Sequence, residues 1–414
     1  MNSSKICFYV ILIIVFTRLL SYLGFPPVIN FLNFPLALII FFTHIEKFKN
    51  IDNALFILVN ALVVLIITSG IINNTGVINI ILQILLYVSF FLIFFILVST
   101  EWSKNNIIFF NKGLASIFLI NILFSYFQIF ILGLRSDNVH GIALHLGTAA
   151  HLNGAICLIS FLFFLHYFES KNKILSYSLA FISLPIIYFS DAKQIFLVIG
   201  LAWVTTLIIN IKIRTSFFKE LMFLILGIII FYYMVDNELI PLRDYNSLMT
   251  GFQHKFGVLN MIYEKITLGQ FFYGMGPGQT ISRLATESYI YYNILESWGF
   301  MHSNFTSSLV TIDYLNYKIS GSSFFSMKFS WAGVFGDAGI IGIVIYFLIL
   351  IRINYKYSLD KIQNFIIISF FYYGFTFTWL EEPIFMILYF SFFGLIWQTI
   401  NYDTKEKLRT KKDN

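Results

Sequence analysis

Apolar stretches about as long as a bilayer core is thick dominate the chain. They fall near residues 5–23, 28–44, 54–73, 77–99, 113–133, 153–168, 174–190, 193–211, 217–235, 332–351, 362–380 and 384–400. Roughly 20 apolar residues in a helix cross about 30 Å of hydrocarbon. Helices are required because lipid cannot hydrogen-bond an exposed backbone, and barrel strands would alternate polar with apolar residues. Charged residues make up 12% of the sequence, against roughly 25% in soluble domains. The expectation is an all-α polytopic membrane protein of about twelve transmembrane helices. The first stretch starts like a signal peptide at Lys5, but Arg18 interrupts it. Leu23-Gly24-Phe25-Pro26-Pro27 reads as a turn rather than a small-residue cleavage site, so an uncleaved first helix is expected. Cys7 and Cys157 sit in apolar stretches without metal-ligand spacing, which argues against thiol, disulfide or cysteine–zinc chemistry.

A net charge of +6 in a soluble chain would suggest nucleic acid; here its distribution gives topology instead, and no nucleic-acid partner is expected. Lys5, Lys47, Lys49, Lys104, Lys112, Lys171, Lys173, Lys212, Arg214, Lys219, Arg352, Lys356, Lys361 and the tail from Lys405 to Lys412 all fall on one side of a twelve-span arrangement, 18 of the 27 basic residues. The short connections on the other side hold only Arg135 and Lys193. The positive-inside rule then puts both termini in the cytoplasm. Residues 236–331 form one large extracytoplasmic loop within a single membrane domain, 1–414. Its stretches 255–270 and 281–299 carry apolar residues at mixed three- and four-residue spacing, read as short amphipathic helices on the membrane face, with Gly274, Gly276, Pro277 and Gly278 breaking the chain between them.

Four places on the extracytoplasmic side carry polar groups near membrane depth, where they are costly and often functional. The first runs from Arg135 through His140, His145 and His151 to Asn153-Gly154. It reads as an anion clamp led by Arg135, whose guanidinium matches phosphate oxygens, as a solvated loop whose histidines bond backbone, or as a zinc site. The last needs a continuous helix through Gly141 and Gly147, and no metal is expected. The second is Ser190-Asp191-Ala192-Lys193-Gln194, either a turn pair capping the next helix or a Lys193 aimed at phosphate. The third is the long loop, where Arg243, His254, Lys255, Lys265 and Arg283 flank the glycine-rich turn at Gly276 ahead of a helix start near Thr280; Arg243 and Arg283 are the phosphate candidates. It lacks the Gly-Lys-Ser/Thr ending of a nucleotide loop. His302 is a further polar spot there. The fourth is Gly336-Asp337-Ala338-Gly339-Ile340-Ile341-Gly342, where Asp337 complements a helix dipole, with Glu381-Glu382-Pro383 nearby. Adjacent residues on a helix point apart, so no more than one of Glu381 and Glu382 is expected in a site.

These local texts, with Tyr273-Gly274-Met275-Gly276-Pro277-Gly278 and the late long loop, resemble the O-antigen and capsular polysaccharide polymerases of the Wzy type over roughly residues 110–350. The family's Arg, ten residues, Gly motif has its nearest counterpart from Arg135 to Gly147, one residue longer. The related O-antigen ligases carry a His-Asn/Ser/Gln pair, nine residues and a Gly; His302-Ser303 begins that pattern, but Asp313 stands where the glycine belongs.

The resemblance implies a membrane glycosyltransferase in the bacterial inner membrane. It joins repeat units carried on undecaprenyl pyrophosphate, whose activated donor brings its own leaving group and calls for no nucleotide or redox cofactor. Membrane lipid and a chain-length regulator are the implied partners. Arg135, with Lys193 and Arg243, would stabilise pyrophosphate charge; Asp191, His140 or Glu381 would act as base on the acceptor hydroxyl; Arg283, Asn153, Gly276 and His302 would line the substrate. The alternatives are a ligase, or a flippase for lipid-linked oligosaccharide, which commonly shows internal repeats and broken helices.

Overall fold

A computed structural model describes residues 3–22, 33–43, 51–143, 149–168, 172–192, 194–209, 245–290, 292–320 and 326–413. These residues form an all-α membrane protein, with no strand among them. In chain order the helices are α1 (Ser3–Tyr22), α2 (Asn33–Thr43), α3 (Asn53–Ile72), α4 (Val77–Ser99), α5 (Lys104–Tyr126), α6 (Ala149–His166), α7 (Lys173–Phe189), α8 (Gln194–Ile209), α9 (Tyr245–Tyr263), α10 (Leu268–Tyr273), α11 (Arg283–Ile290), α12 (Tyr292–Ser297), α13 (Asn304–Ser320), α14 (Ser330–Tyr357), α15 (Lys361–Tyr373) and α16 (Pro383–Asp413). Six helices among the described residues are long and apolar enough to cross a membrane: α3, α4, α5 with its π-helical continuation to Ile131, α6, α14 and most of α16. The apolar helices α7 and α8 and the first part of α1 are shorter. The expected span 217–235 lies outside the described residues.

The stretch 362–380 departs from expectation, because α15 stops at Tyr373. Its last carbonyls find partners elsewhere. The indole N–H of Trp331 donates to Phe371 O at 2.9 Å, Trp331 N to Gly374 O at 3.1 Å and Ser330 N to Phe377 O at 3.1 Å. The start of α14 thus takes over the groups that a continued helix would have bonded internally. The helices expected over 255–270 and 281–299 are also divided: α9 ends at Tyr263 and the Thr267 capping box starts α10, and α11 and α12 split the second stretch.

The first half of α16 is the axis of the core, with every residue from Ile384 to Ile396 buried. It packs against α1, α4, α5, α6 and α15. Aromatic rings fill that contact: Phe390 stacks on Phe90 at 5.7 Å and meets Phe94 at 5.0 Å. The Tyr389 hydroxyl donates to Ala155 O, tying α16 to α6.

Contacts across the bundle sort the connections into two ends. At one end Arg352 grips Asp52 through two hydrogen bonds of 2.7 Å, Tyr167 bonds Asp360 and Gln398 bonds Leu97 O and Thr100 O. At the other end gather residues 73–76, 132–143, 190–192, the described part of 245–329, and 374–382.

Helix α14 is interrupted. Gly339 has φ 69° and ψ −171°, a backbone conformation nearly restricted to glycine. A Cβ there would lie 2.3 Å from Phe272 O and 2.6 Å from Gly274 N, so only a bare backbone lets α10 approach. Gly339→Ala is therefore expected to lower stability by about 3 kcal/mol or more, from strain and clash together. Gly200→Ala in α8, with open space around the new methyl, should instead gain roughly 0.5–1 kcal/mol. Thermal unfolding of the two variants in detergent separates these outcomes.

Candidate functional site

The break in α14 builds the first half of the site. A helix interrupted within a membrane frees carbonyls that need donors. Met275 N donates to Gly336 O at 2.7 Å and the Ser69 hydroxyl to Asp337 O at 3.2 Å. The Asp337 carboxylate, 1% exposed, faces the same loop. Gly278 N donates to its Oδ2 at 2.8 Å and the Thr280 hydroxyl to its Oδ1 at 2.7 Å. Gly274, Gly276 and Gly278 all have positive φ, which lets this turn curl around one carboxylate. Asp337 is thus no dipole cap at a helix start, as expected; it lies eight residues into α14 and organises the glycine-rich turn.

Neutral amides hold the rest of the turn. Asn79 of α4 donates to Pro277 O at 3.0 Å and Met301 O at 2.9 Å, and accepts from Met301 N at 2.8 Å. Gln279 donates to Met301 O and accepts from Ser303 N at 2.9 Å. Asn73, the C-cap of α3, donates to Gly274 O at 3.0 Å. The loop is pinned to three helices at once.

Arg283, expected to meet phosphate, is committed elsewhere. Its guanidinium forms a buried ion pair with Glu382, while its backbone N–H donates to Glu381 Oε2 at 2.8 Å. Both glutamates therefore enter one site. The expectation that only one could do so assumed a helix, but α16 begins at Pro383 and Glu381 ends a 3-10 turn with Glu382 extended. Asp337, Glu381 and Glu382 are each less than 5% exposed, and the buried Arg283 joins the two glutamates.

The second half of the site surrounds Asn153 in the first turns of α6. Its amide donates to the Ser125 hydroxyl at 3.0 Å and Val139 O at 3.1 Å, and its oxygen accepts from Asn121 at 2.9 Å. Ser190 also reaches Val139 O at 3.2 Å. Gln128, on the π-helical end of α5, receives Gly141 N at 2.8 Å. Residues 139–143 are therefore held against the helices, while Leu132, Gly133, Arg135 and Asn138 stay exposed. His140 bonds Asp137 O at 2.8 Å, and burial pushes its imidazole below the ordinary histidine value. His151 sits 3.3 Å from the Asp137 carboxylate. Arg135 stays exposed, its guanidinium 5.6 Å over the Phe189 ring. Asp191 takes φ 50° in the tight α7–α8 turn. Lys193, Arg243 and His145 lie outside the described residues.

Phe377 joins the halves. His151 stacks on its ring at 5.0 Å, and the Lys255 ammonium lies 4.5 Å from the same ring while bonding Thr376 O. Burial pushes Lys255 down to about 7. Four residues on, Glu381 reaches Arg283. Among the described residues, no group of three His, Cys, Asp or Glu side chains could hold a metal ion. The chain matches no protein family, and no curated protein is significantly similar to it.

His302 stands at the edge, its Nε2 3.0 Å from the Ser288 hydroxyl and its ring stacked on Tyr292 at 5.0 Å. Desolvation lowers its pKa to about 4. Between that value and the ordinary 6.5 the unfolded chain binds the proton and the folded one does not, so stability rises with pH across this window. The His302 contribution is expected in full above pH 6.5 and to fall as pH drops towards 4. Unfolding midpoints of His302→Gln against the parent, measured at steps through that window, should lose this component of the slope. Glu382→Ala leaves the Arg283 charge buried without its main partner, which costs about 3–5 kcal/mol and should show as a large fall in midpoint at neutral pH.

Proposed function

We propose that this chain is an O-antigen or related surface-polysaccharide polymerase, a glycosyltransferase acting on undecaprenyl-pyrophosphate-linked repeat units. In this reading it crosses the bacterial inner membrane about twelve times, with both termini cytoplasmic and the site end on the outer face. The observation that carries it is convergence. The four separated texts that resemble the family meet in pairs at one end of the bundle: Asn153 with Ser190, and the turn at Gly274–Gly278 with Gly336 and Asp337. Phe377 and Glu381 link the two pairs.

The donor sugar is bonded to pyrophosphate, and transfer breaks that C–O bond as the acceptor hydroxyl oxygen bonds the anomeric carbon. Negative charge grows on the departing pyrophosphate. Arg135 is the exposed guanidinium that meets it at headgroup depth, with Lys193 and Arg243 as further cations. The acceptor proton passes to a carboxylate. Glu381 is favoured over Asp191 and His140, because the 3-10 turn and the Arg283 N–H fix its position. Asn153, Gly276 and Arg283 shape the walls; Arg283 acts by holding the glutamates rather than the phosphate.

The ligase reading has His302-Ser303 in its favour, but Asp313 accepts from Ser326 and Met327 where that pattern requires a glycine. The flippase reading has the interrupted α14, a feature of transport folds. One experiment ranks all three. A strain lacking the gene should display surface glycan capped at a single repeat unit. Lipid-linked polymer left untransferred would point to a ligase, and repeat units retained inside the cell to a flippase. A glycan ladder like the parent's would end all three. In the complemented strain Arg135→Ala should reduce polymer at least about tenfold, the scale of one lost charge contact, whereas Lys104→Ala at the opposite end should leave the ladder unchanged.

A further inference from the structure

Helices α11 and α12 do not cap the bundle; they run down the flank of α4. Leu284, Leu295 and Phe300 are buried in one apolar cluster with Leu86, and Ile78, Leu82, Leu85 and Tyr292 pack against it. Helix α11 packs directly on α4. Gly299 O lies so close to Gly76 that no Cβ would fit there, and Asn79 bonds both backbone groups of Met301 at 2.9 and 2.8 Å. The contact thus extends from the start of α4 to Leu86, about 13 Å along the axis at 1.5 Å per residue.

Depth follows from α4 itself. Its 23 residues are long and apolar enough to cross a membrane, and they span about 34 Å against a hydrocarbon core of about 30 Å. Only about one turn can stand clear of the core. The lower part of the cluster, at Leu82, Leu85 and Leu86, therefore lies at hydrocarbon depth. The outward side of the pair is divided. Ile294 and Trp298, four residues apart and so on one side, are each 57% exposed, and Met301 is 52% exposed. Val77 and Ile81 on α4 are exposed as well. The exposed polar positions of α12 are Asn293, Glu296 and Ser297, and Glu296 accepts from the Tyr292 hydroxyl at 3.2 Å. An apolar edge beside a polar one is the pattern of a helix lying in a membrane interface, a depth that Trp and Tyr favour.

We infer that Ile294, Trp298 and Met301 form a membrane foot, inserted into the lipid leaflet at the site end and continuous with the lipid face of α4 at Val77 and Ile81. Lipid is the occupant, rather than a glycan or a second protein, because the element that carries these residues is packed along a spanning helix at hydrocarbon depth. The foot stands whatever reaction the site performs and whichever way the chain is oriented. Leu284 of the cluster adjoins Arg283 in α11, so the foot also holds the ion pair of Arg283 with Glu382 at a fixed depth.

Spin labelling of the full-length protein in lipid nanodiscs tests the foot. Cys7 and Cys157 are buried, so the parent serves as the unlabelled blank. Ile294→Cys, Trp298→Cys and Met301→Cys carry a nitroxide on the foot, and Glu296→Cys carries one on the polar side. Leu123→Cys, at an exposed position of the spanning helix α5, is the lipid reference. All five positions are exposed, so the labels leave the packing intact. Oxygen concentrates in lipid and a charged nickel chelate stays in water. The ratio of oxygen to nickel collisions should be severalfold higher at the three foot positions than at Glu296, and close to that at Leu123. Nickel access on the foot equal to that at Glu296 would put the patch in water and overturn the inference, leaving a glycan or protein partner to cover it. Poor access to both reagents would show the patch covered by protein, and would overturn it too.

Discussion

The Asp337 carboxylate is the contact on which the site end depends. A spanning helix that breaks at Gly339 exposes backbone groups where lipid offers no partners. The structure closes that gap with a loop, and the loop stays because Asp337 takes the Gly278 N–H and the Thr280 hydroxyl. The same arrangement brings Gly276 against α3 and starts α11 at Arg283. Without that carboxylate the turn would lose its centre, Arg283 its approach to Glu382, and α14 the donors for its freed carbonyls. Fold and site are here one set of hydrogen bonds.

Charge divides the site into two kinds of region. Around Arg283 the buried groups are mainly acidic, a poor surface for an anion. Arg135, His140, His151 and Lys255 lie on the side of Asn153 and Phe377. On the proposed reading a pyrophosphate would sit with that second group, and the proton acceptor with the first. The segment 374–382 spans the boundary: Phe377 contacts His151 and Lys255, and Glu381 lies a single turn further on. A short connection with a fixed 3-10 turn can keep a cation and a carboxylate in constant register, as group transfer between two bound substrates demands.

Much of this arrangement can be read in the sequence, and the failures have physical causes. Long apolar stretches such as 54–73 and 77–99 became α3 and α4 nearly residue for residue, because length and hydropathy alone decide a spanning helix. The glycines at 274, 276 and 278 did mark a turn. Its use did not show, since the carboxylate it wraps lies about 60 residues later in α14 and pairing over such separations leaves no local pattern. Arg283 looked like a phosphate ligand because its glutamates come about 100 residues on. The helix assumption for Glu381 and Glu382 failed at Pro383, which starts α16 and forces the residue before it away from helical geometry. Lys255 stood out only as one cation among several flanking the turn, for want of any local cue. Asn79 and Gln83 were within reach: polar residues inside an apolar stretch are expensive enough to ask about individually.

Those amides suggest how the membrane setting shaped the site. Asn73, Asn79, Asn121, Gln128, Asn153 and Gln279 all clip backbone or one another, and none carries charge. An amide brings two donors and an acceptor without the desolvation cost of an ion, and interhelical bonds of this kind in membranes average only about 0.6 kcal/mol each. Their value is therefore in position more than in stability, with many modest bonds fixing where the few charged groups stand.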